Sequence, residues 1–182
     1  IPLEEFVSEK CSADAFRNIY RNYAKHRKEL KKIDFDDMLE LCYELFRSRP
    51  DVLAQWQKKF RYVLIDEFQD INRIQYDVIR MLAQPENNLF VVGDDDQAIY
   101  GFRGADSELM LGFGKDFPNA KQILLGMNYR STANIVQNSL KLIENYVERY
   151  SLKLEANREG GSCLHIQEVY DPVEEAEYVL EE

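Results

Sequence analysis

Tyr62-Val63-Leu64-Ile65-Asp66-Glu67-Phe68-Gln69-Asp70 is the stretch on which the reading of this chain turns. A short apolar run, rich in strand formers, passes directly into a pair of acids. A strand with that ending puts carboxylates at its C-terminal edge, where ligands of open parallel sheets bind. Magnesium takes oxygen ligands and keeps most of its waters, so one or two carboxylates suffice to hold it. In a phosphate-loop NTPase the first acid holds the metal. The next acid points in another direction and can polarise an attacking water. An ordinary surface turn can carry the same letters, so the stretch takes its meaning from what surrounds it.

Outward from it, the chain alternates. Leu89-Phe90-Val91-Val92 is a second apolar run, Ile123-Leu124-Leu125 a third and Leu164-His165-Ile166 a weaker fourth. Helical stretches over about 72–83, 105–113 and 131–150 separate them. Strands alternating with helices imply crossover units and a parallel sheet. Runs apolar on both faces suit strands covered by helices on both sides. Residues 1 to about 60 read instead as helical: Phe16, Ile19, Tyr20 and Tyr23 share one helix face. Asp34 caps a second helix carrying Met38, Leu39, Leu41, Cys42, Leu45 and Phe46. Pro50-Asp51 breaks that pattern before a short helix through Trp56. Phe117-Pro118-Asn119 marks the expected boundary between two α/β lobes, and Gly160-Gly161 a turn. The expected class is α/β with an N-terminal all-helical segment.

Bulk properties fit a soluble globular chain. Of 182 residues, 45% are hydrophobic and 31% charged. No run approaches the roughly 18 apolar residues of a membrane span, and the opening IPLEEFVSEK has no apolar signal core. Cys11, Cys42 and Cys163 form neither a disulfide framework nor a zinc pattern and read as reduced thiols of a cytoplasmic protein. His26 and His165 lack metal-ligand spacing. Net charge is −10, so any contact with nucleic acid has to be local. Arg17, Arg21, Lys25, Arg27, Lys28, Lys31 and Lys32 face only Glu29 within their stretch. They form either a solvated helix face or a phosphate-contacting patch. The segment from Glu168 to Glu182 is acidic throughout.

Three further features carry chemistry. Gly93-Asp94-Asp95-Asp96-Gln97 closes the second apolar run. Adjacent acids repel unless a cation, a basic partner or solvent compensates them. The cluster is either an acidic turn or a loop beside a nucleotide, with the amide of Gln97 sensing a phosphate oxygen. Tyr100-Gly101-Phe102-Arg103 sets aromatics beside Arg, either as core anchors or as a platform on which bases stack. Asn128-Tyr129-Arg130-Ser131 is expected at a helix start in the second lobe. From there Arg130 can reach a phosphate held by the first, as arginine fingers do.

Taken in order, YVLIDEFQDINRIQYDVIRMLA, VVGDDDQAIYGFRGA and NYRST resemble motifs II, III and IV of the UvrD/Rep/PcrA superfamily-1 DNA helicases. Asp34-Phe35-Asp36-Asp37-Met38-Leu39 resembles the segment before motif II, and the likeness runs from about residue 16 to the end. It implies an incomplete RecA-like P-loop NTPase parallel sheet flanked by helices. Residues 1–55 would be the end of helical subdomain 1B, 56–119 part of lobe 1A and 120–182 the start of lobe 2A. The chain is then expected to be an internal piece of a longer ATP-dependent motor. By the resemblance Asp66 holds Mg²⁺, with Glu67 beside it as catalytic base, and Gln69 links nucleotide state to grip on DNA. Gln97 contacts the γ-phosphate, Tyr129 stacks on adenine and Arg130 is an arginine finger. Tyr100, Phe102 and Arg103 contact single-stranded DNA. Implied partners are ATP, single-stranded and partially duplex DNA, and repair or replication proteins. The implied direction of movement is 3′ to 5′.

The chain departs from the family where Phe102 replaces the usual Trp, and where Leu125-Gly126-Met127 replaces Leu-Glu-Gln. No G-x-x-x-x-G-K-[ST] phosphate loop occurs in it. Without those amides and that Lys the triphosphate has no cradle, so ATPase activity of this polypeptide alone is expected to be weak. Absence of that loop's strand would also leave a sheet edge open to self-association. Two other readings compete: a non-catalytic DNA- or protein-interaction module, and a Mg²⁺ nuclease using Asp66, Glu67 and Asp94–Asp96.

Overall fold

The computed structural model describes residues 3, 5–145, 149–150 and 153–181. Ser12 opens α1 (Ala13–Glu29), its Oγ accepting from the Ala15 N–H at 3.3 Å. Asp34 opens α2 (Phe35–Ser48) with a reciprocal cap. Asp34 Oδ1 accepts from the Asp37 N–H at 2.9 Å, and Asp37 Oδ2 from the Asp34 N–H at 3.1 Å. Such a box satisfies donors that a helix start leaves open. Pro50 begins α3 (Pro50–Lys59), a position where its missing N–H has no intrahelical partner to lose. Side chains tie α1 to the cap of α2. Tyr23 Oη donates to Asp34 Oδ2 at 2.8 Å, and Arg27 Nη1 bonds Asp34 and lies 2.8 Å from Asp37 Oδ2.

The main core lies where α2, α3, β1 (Val63–Ile65) and α4 (Arg73–Ala83) meet. Asn72 and Gln75 cap α4 reciprocally. Tyr76, Ile79 and Ala83 recur along one face of α4 and are buried with Phe46, Phe68, Ile71 and Leu109. The Phe68 and Tyr76 rings meet edge-on at 6.0 Å. β1 pairs in parallel with β2 (Leu89–Val91), Val63 opposite Leu89 and Ile65 opposite Val91. These elements belong to one compact unit, which runs to Asp94 and resumes over Ala98–Met110.

The second unit comprises Asp95–Gln97 and Leu111 onward. Two four-residue helices stand either side of Gly112: α5 (Glu108–Leu111), which closes the first unit, and α6 (Phe113–Asp116) in the second. β3 (Met127–Thr132) pairs in parallel with β4 (Glu155–Arg158). α7 (Ala133–Ile143) packs on both strands and buries Val136. α8 (Pro172–Glu181) is acidic along its first turn. No helix among the described residues is long and apolar enough to cross a membrane.

The architecture is α/β with two small parallel sheets, and several details differ from the expectations. Ile123, Leu124 and Leu125 form no strand and are 65, 52 and 75% exposed. Leu164–Ile166 forms none either. The strands that do pair are the polar Met127–Thr132 and Glu155–Arg158, because a ladder is built from backbone groups and apolar pattern reports only side chains. NYRS therefore lies in β3, and the helix begins after it. Helices do not cover both faces of the first sheet: Leu64 is 69% and Phe90 57% exposed, while Val63, Ile65, Leu89 and Val91 are half-buried. The helix expected over 105–113 is split at Gly112. Of the helix expected over 131–150, residues 146–148 lie outside the described residues, as do Ile1, Pro2, Glu4 and Glu182.

The α1–α2 junction sets an acid sensitivity. Asp37's N–H, then Tyr23's hydroxyl, hold the Asp34 carboxyl below its ordinary range, and Arg27 adds to this. A lowered folded-state value means the stabilisation is complete above the unfolded value of about 4 and is lost as pH falls through the folded one. Helicity by circular dichroism should hold from neutral pH to about pH 5 and fall below about pH 4. The fall should be smaller in Asp34→Asn; an identical acid profile for that variant would contradict the assignment.

Candidate functional site

The strand edge is built from a strained turn. β1 stops at Ile65, whose carbonyl accepts from the Val92 N–H at 2.9 Å, while the Phe68 N–H donates to the Val92 carbonyl at 2.9 Å. Glu67, between them, is left-handed at φ 51°, ψ 45°. A non-glycine residue there costs on the order of 1–3 kcal/mol and persists where its surroundings over-determine it. Gln69 does so. Its side chain is 1% exposed; Nε2 donates to Glu67 Oε2 at 2.7 Å, and Oε1 accepts from the Asp94 N–H at 3.0 Å. One buried amide uses its donor on the carboxylate and its acceptor on the turn after β2. Asp66 and Glu67 remain exposed, with Asp66 Oδ1 accepting from the Glu67 N–H at 2.9 Å. These are hard oxygen donors at a sheet's C-terminal edge, a donor set that fits magnesium.

Gly93 makes the bridge possible. A Cβ there would lie 2.6 Å from Gln69 Oε1, 3.1 Å from Phe68 N and 3.2 Å from Gln69 N. Two of these atoms are backbone and cannot give way cheaply. Gly93 drew no special attention in the sequence; a Gly between an apolar strand and acids is the signal that could have found it.

Further along the same unit, Tyr100, Phe102 and Arg103 form one cluster. The rings are 5.9 Å apart, and the Arg103 guanidinium lies 4.9 Å from the Tyr100 centroid and 5.3 Å from that of Phe102. Phe102 is 79% exposed, so it is not a core anchor. Gly104 ends the turn at φ 85°, and the Asp106 N–H donates to the Ile71 carbonyl at 3.0 Å. The cluster is an aromatic face with a cation beside it, able to stack a flat ring and meet an anion.

In the second unit, Tyr129 and Arg130 sit on an irregularity of β3. The register passes from Asn128 opposite Ala156 to Thr132 opposite Arg158, four steps on one strand against two on the other. The surplus pushes Tyr129–Ser131 out of the ladder, as bulges do. Asn128 Oδ1 secures it, accepting from the Arg130 N–H at 3.0 Å and the Ser131 N–H at 2.8 Å. Arg158 donates to the Arg130 carbonyl at 3.0 Å. Tyr129 is 71% exposed and Arg130 is exposed beside it. Gln97, also exposed, ends the 3₁₀ turn Asp95–Gln97 in this unit.

The structure thus brings Asp66, Glu67 and Gln69 together, Tyr100, Phe102 and Arg103 together, and Tyr129 beside Arg130. Residues 3–118 match the family model of the UvrD/REP helicase N-terminal domain. The chain is 49% identical over 162 residues to a putative ATP-dependent DNA helicase, YjcD, of Bacillus subtilis, covering 89% of this chain and 21% of that protein. It is 40% identical to the ATP-dependent DNA helicase PcrA of Leuconostoc citreum, covering 94% of this chain and 23% of that one. It is also 40% identical to PcrA of Staphylococcus aureus, covering 90% and 22%. The chain therefore spans about a fifth of the length of the curated relatives it matches.

Gly93→Ala should lower stability by about 1–3 kcal/mol, the usual cost of overpacking. Gly101→Ala, with open space around it, should stay within about 0.5 kcal/mol of the parent. Urea unfolding would measure both, and equal midpoints for the two variants would contradict the close approach at Gly93.

Proposed function

The chain belongs to the UvrD/REP helicase family, and on that premise we propose that it carries the nucleotide-responsive part of an ATP-dependent DNA helicase. The longer protein would couple ATP hydrolysis to 3′-to-5′ movement on single-stranded DNA and to duplex unwinding. Residues 1–55 would end helical subdomain 1B, 56–119 would belong to a RecA-like P-loop lobe 1A, and 120–182 would begin lobe 2A. Repair or replication proteins are its expected partners.

The observation that carries this reading is the exposed Asp66–Glu67 pair on a turn locked by buried Gln69. Asp66, with Glu67 adjacent, would hold Mg²⁺, which when bound neutralises charge on the phosphates. Glu67 accepts a proton from the attacking water while Gln69 fixes the direction in which its carboxylate faces. Gln97 donates from its side-chain amide to a γ-phosphate oxygen. Arg130 meets charge developing on the transferred phosphoryl group, a contribution of about 10³–10⁵-fold where such fingers have been characterised. Tyr129 offers its exposed ring to adenine. Tyr100, Phe102 and Arg103 take single-stranded DNA, the rings stacking on bases at about 1–3 kcal/mol each and the guanidinium meeting phosphate.

The test uses a longer polypeptide that includes this chain and a phosphate loop. Glu67→Gln should lower DNA-stimulated kcat for ATP by about 10² or more while a fluorescent ATP analogue still binds. The 182-residue polypeptide should show little turnover in the same phosphate-release assay. Full turnover by Glu67→Gln would remove the base from its role and favour a non-catalytic interaction module. Strong turnover by the short chain would refute its dependence on the loop.

A further inference from the structure

The three consecutive acids Asp94–Asp96 raise a question of compensation, and the structure answers it with named partners. Asp96 Oδ2 accepts from Arg149 Nη2 at 2.8 Å, and Asp95 Oδ2 accepts from the Tyr150 backbone N–H at 2.8 Å. Both members of the ion pair are largely shielded, at 17% and 16% side-chain exposure. Burial, then the nearby Asp95, pushes the Tyr150 phenol up. Shielded charges are costly unless paired, so this is a joint rather than a pair of drifting surface side chains. It is also long-range, joining residues 53 positions apart.

The joint bears on Gln97. A three-residue 3₁₀ turn has little rigidity of its own, and Asp95 and Asp96, which precede Gln97 in it, are both gripped by Arg149 and Tyr150. We propose that Arg149 is a positioning residue for Gln97: through Asp96 it fixes the orientation of the Asp95–Gln97 turn and so the direction in which the Gln97 amide is offered to a phosphate. This rests on the reading of Gln97 given above. Nothing in the local sequence around Arg149 signals the role, because its partner lies in a distant motif.

The experiment uses the full-length protein that contains this chain. Arg149→Met should speed amide exchange across residues 95–98 by about tenfold, as loss of a charged hydrogen bond would, with exchange in α4 unchanged. It should lower DNA-stimulated kcat by about tenfold, with KM for ATP within about twofold. Arg149→Lys should recover part of both, and the exchanged pair Arg149→Asp with Asp96→Arg should recover more than either single change. Should Arg149→Met fail to fold, Asp96→Asn, which keeps the volume, carries the same expectations. Unchanged exchange at 95–98 would overturn the proposal, as would faster exchange with kcat unaltered. Gln97→Ala separates the two layers: unaltered kcat in that variant overturns the reading of Gln97 and the catalytic consequence with it, whereas the exchange result judges the tether by itself.

Discussion

Both ends of the Gln69 side-chain amide are engaged. Its amide nitrogen serves the Glu67 carboxylate, its oxygen serves the Asp94 backbone, and 1% of it meets solvent. A buried amide with one partner missing would be penalised by roughly 1–3 kcal/mol, so the two turns it joins are constrained together. The left-handed Glu67 and the close approach of Gly93 both lie against that one group. What the constraint leaves outside is the chemistry: two carboxylates facing solvent on a turn that cannot relax.

The same division recurs in the second unit. Tyr129 and Arg130 are exposed, yet their backbone is held by Asn128, by Arg158 and by the mismatch between β3 and β4. Gln97 is exposed on a turn gripped through Asp95 and Asp96. In each case an exposed candidate side chain stands on backbone whose direction its neighbours fix. Pre-set direction of this kind is how positioned groups lower a barrier without reorganising at the moment of reaction.

Much of this was legible in the letters, for identifiable reasons. Helices announced themselves through periodicity and caps: the Phe16, Ile19, Tyr20 and Tyr23 spacing of α1, Asp34 before α2 and Pro50 at the head of α3. β1 and β2 were legible because both are apolar and both end in acids. β3 and β4 were not, since they are polar and their pairing is a backbone matter. Ile123–Leu125, which looked like a strand, has no partner among the described residues. The candidate side chains, Gln69 among them, were singled out by motif, whereas several of the groups that hold them were missed. Gly93 matters through an atom it lacks, Asn128 through a local turn, and Arg149 through a partner 53 residues away.

If Gln69 acts by holding Glu67, the two side chains form one functional unit. A double-mutant cycle on DNA-stimulated kcat, in a longer protein that includes this chain, measures this directly. Gln69→Leu should be costly when Glu67 is present and cost almost nothing further in a Glu67→Gln background. Losses that multiply, each variant contributing its full factor independently of the other, would contradict the account.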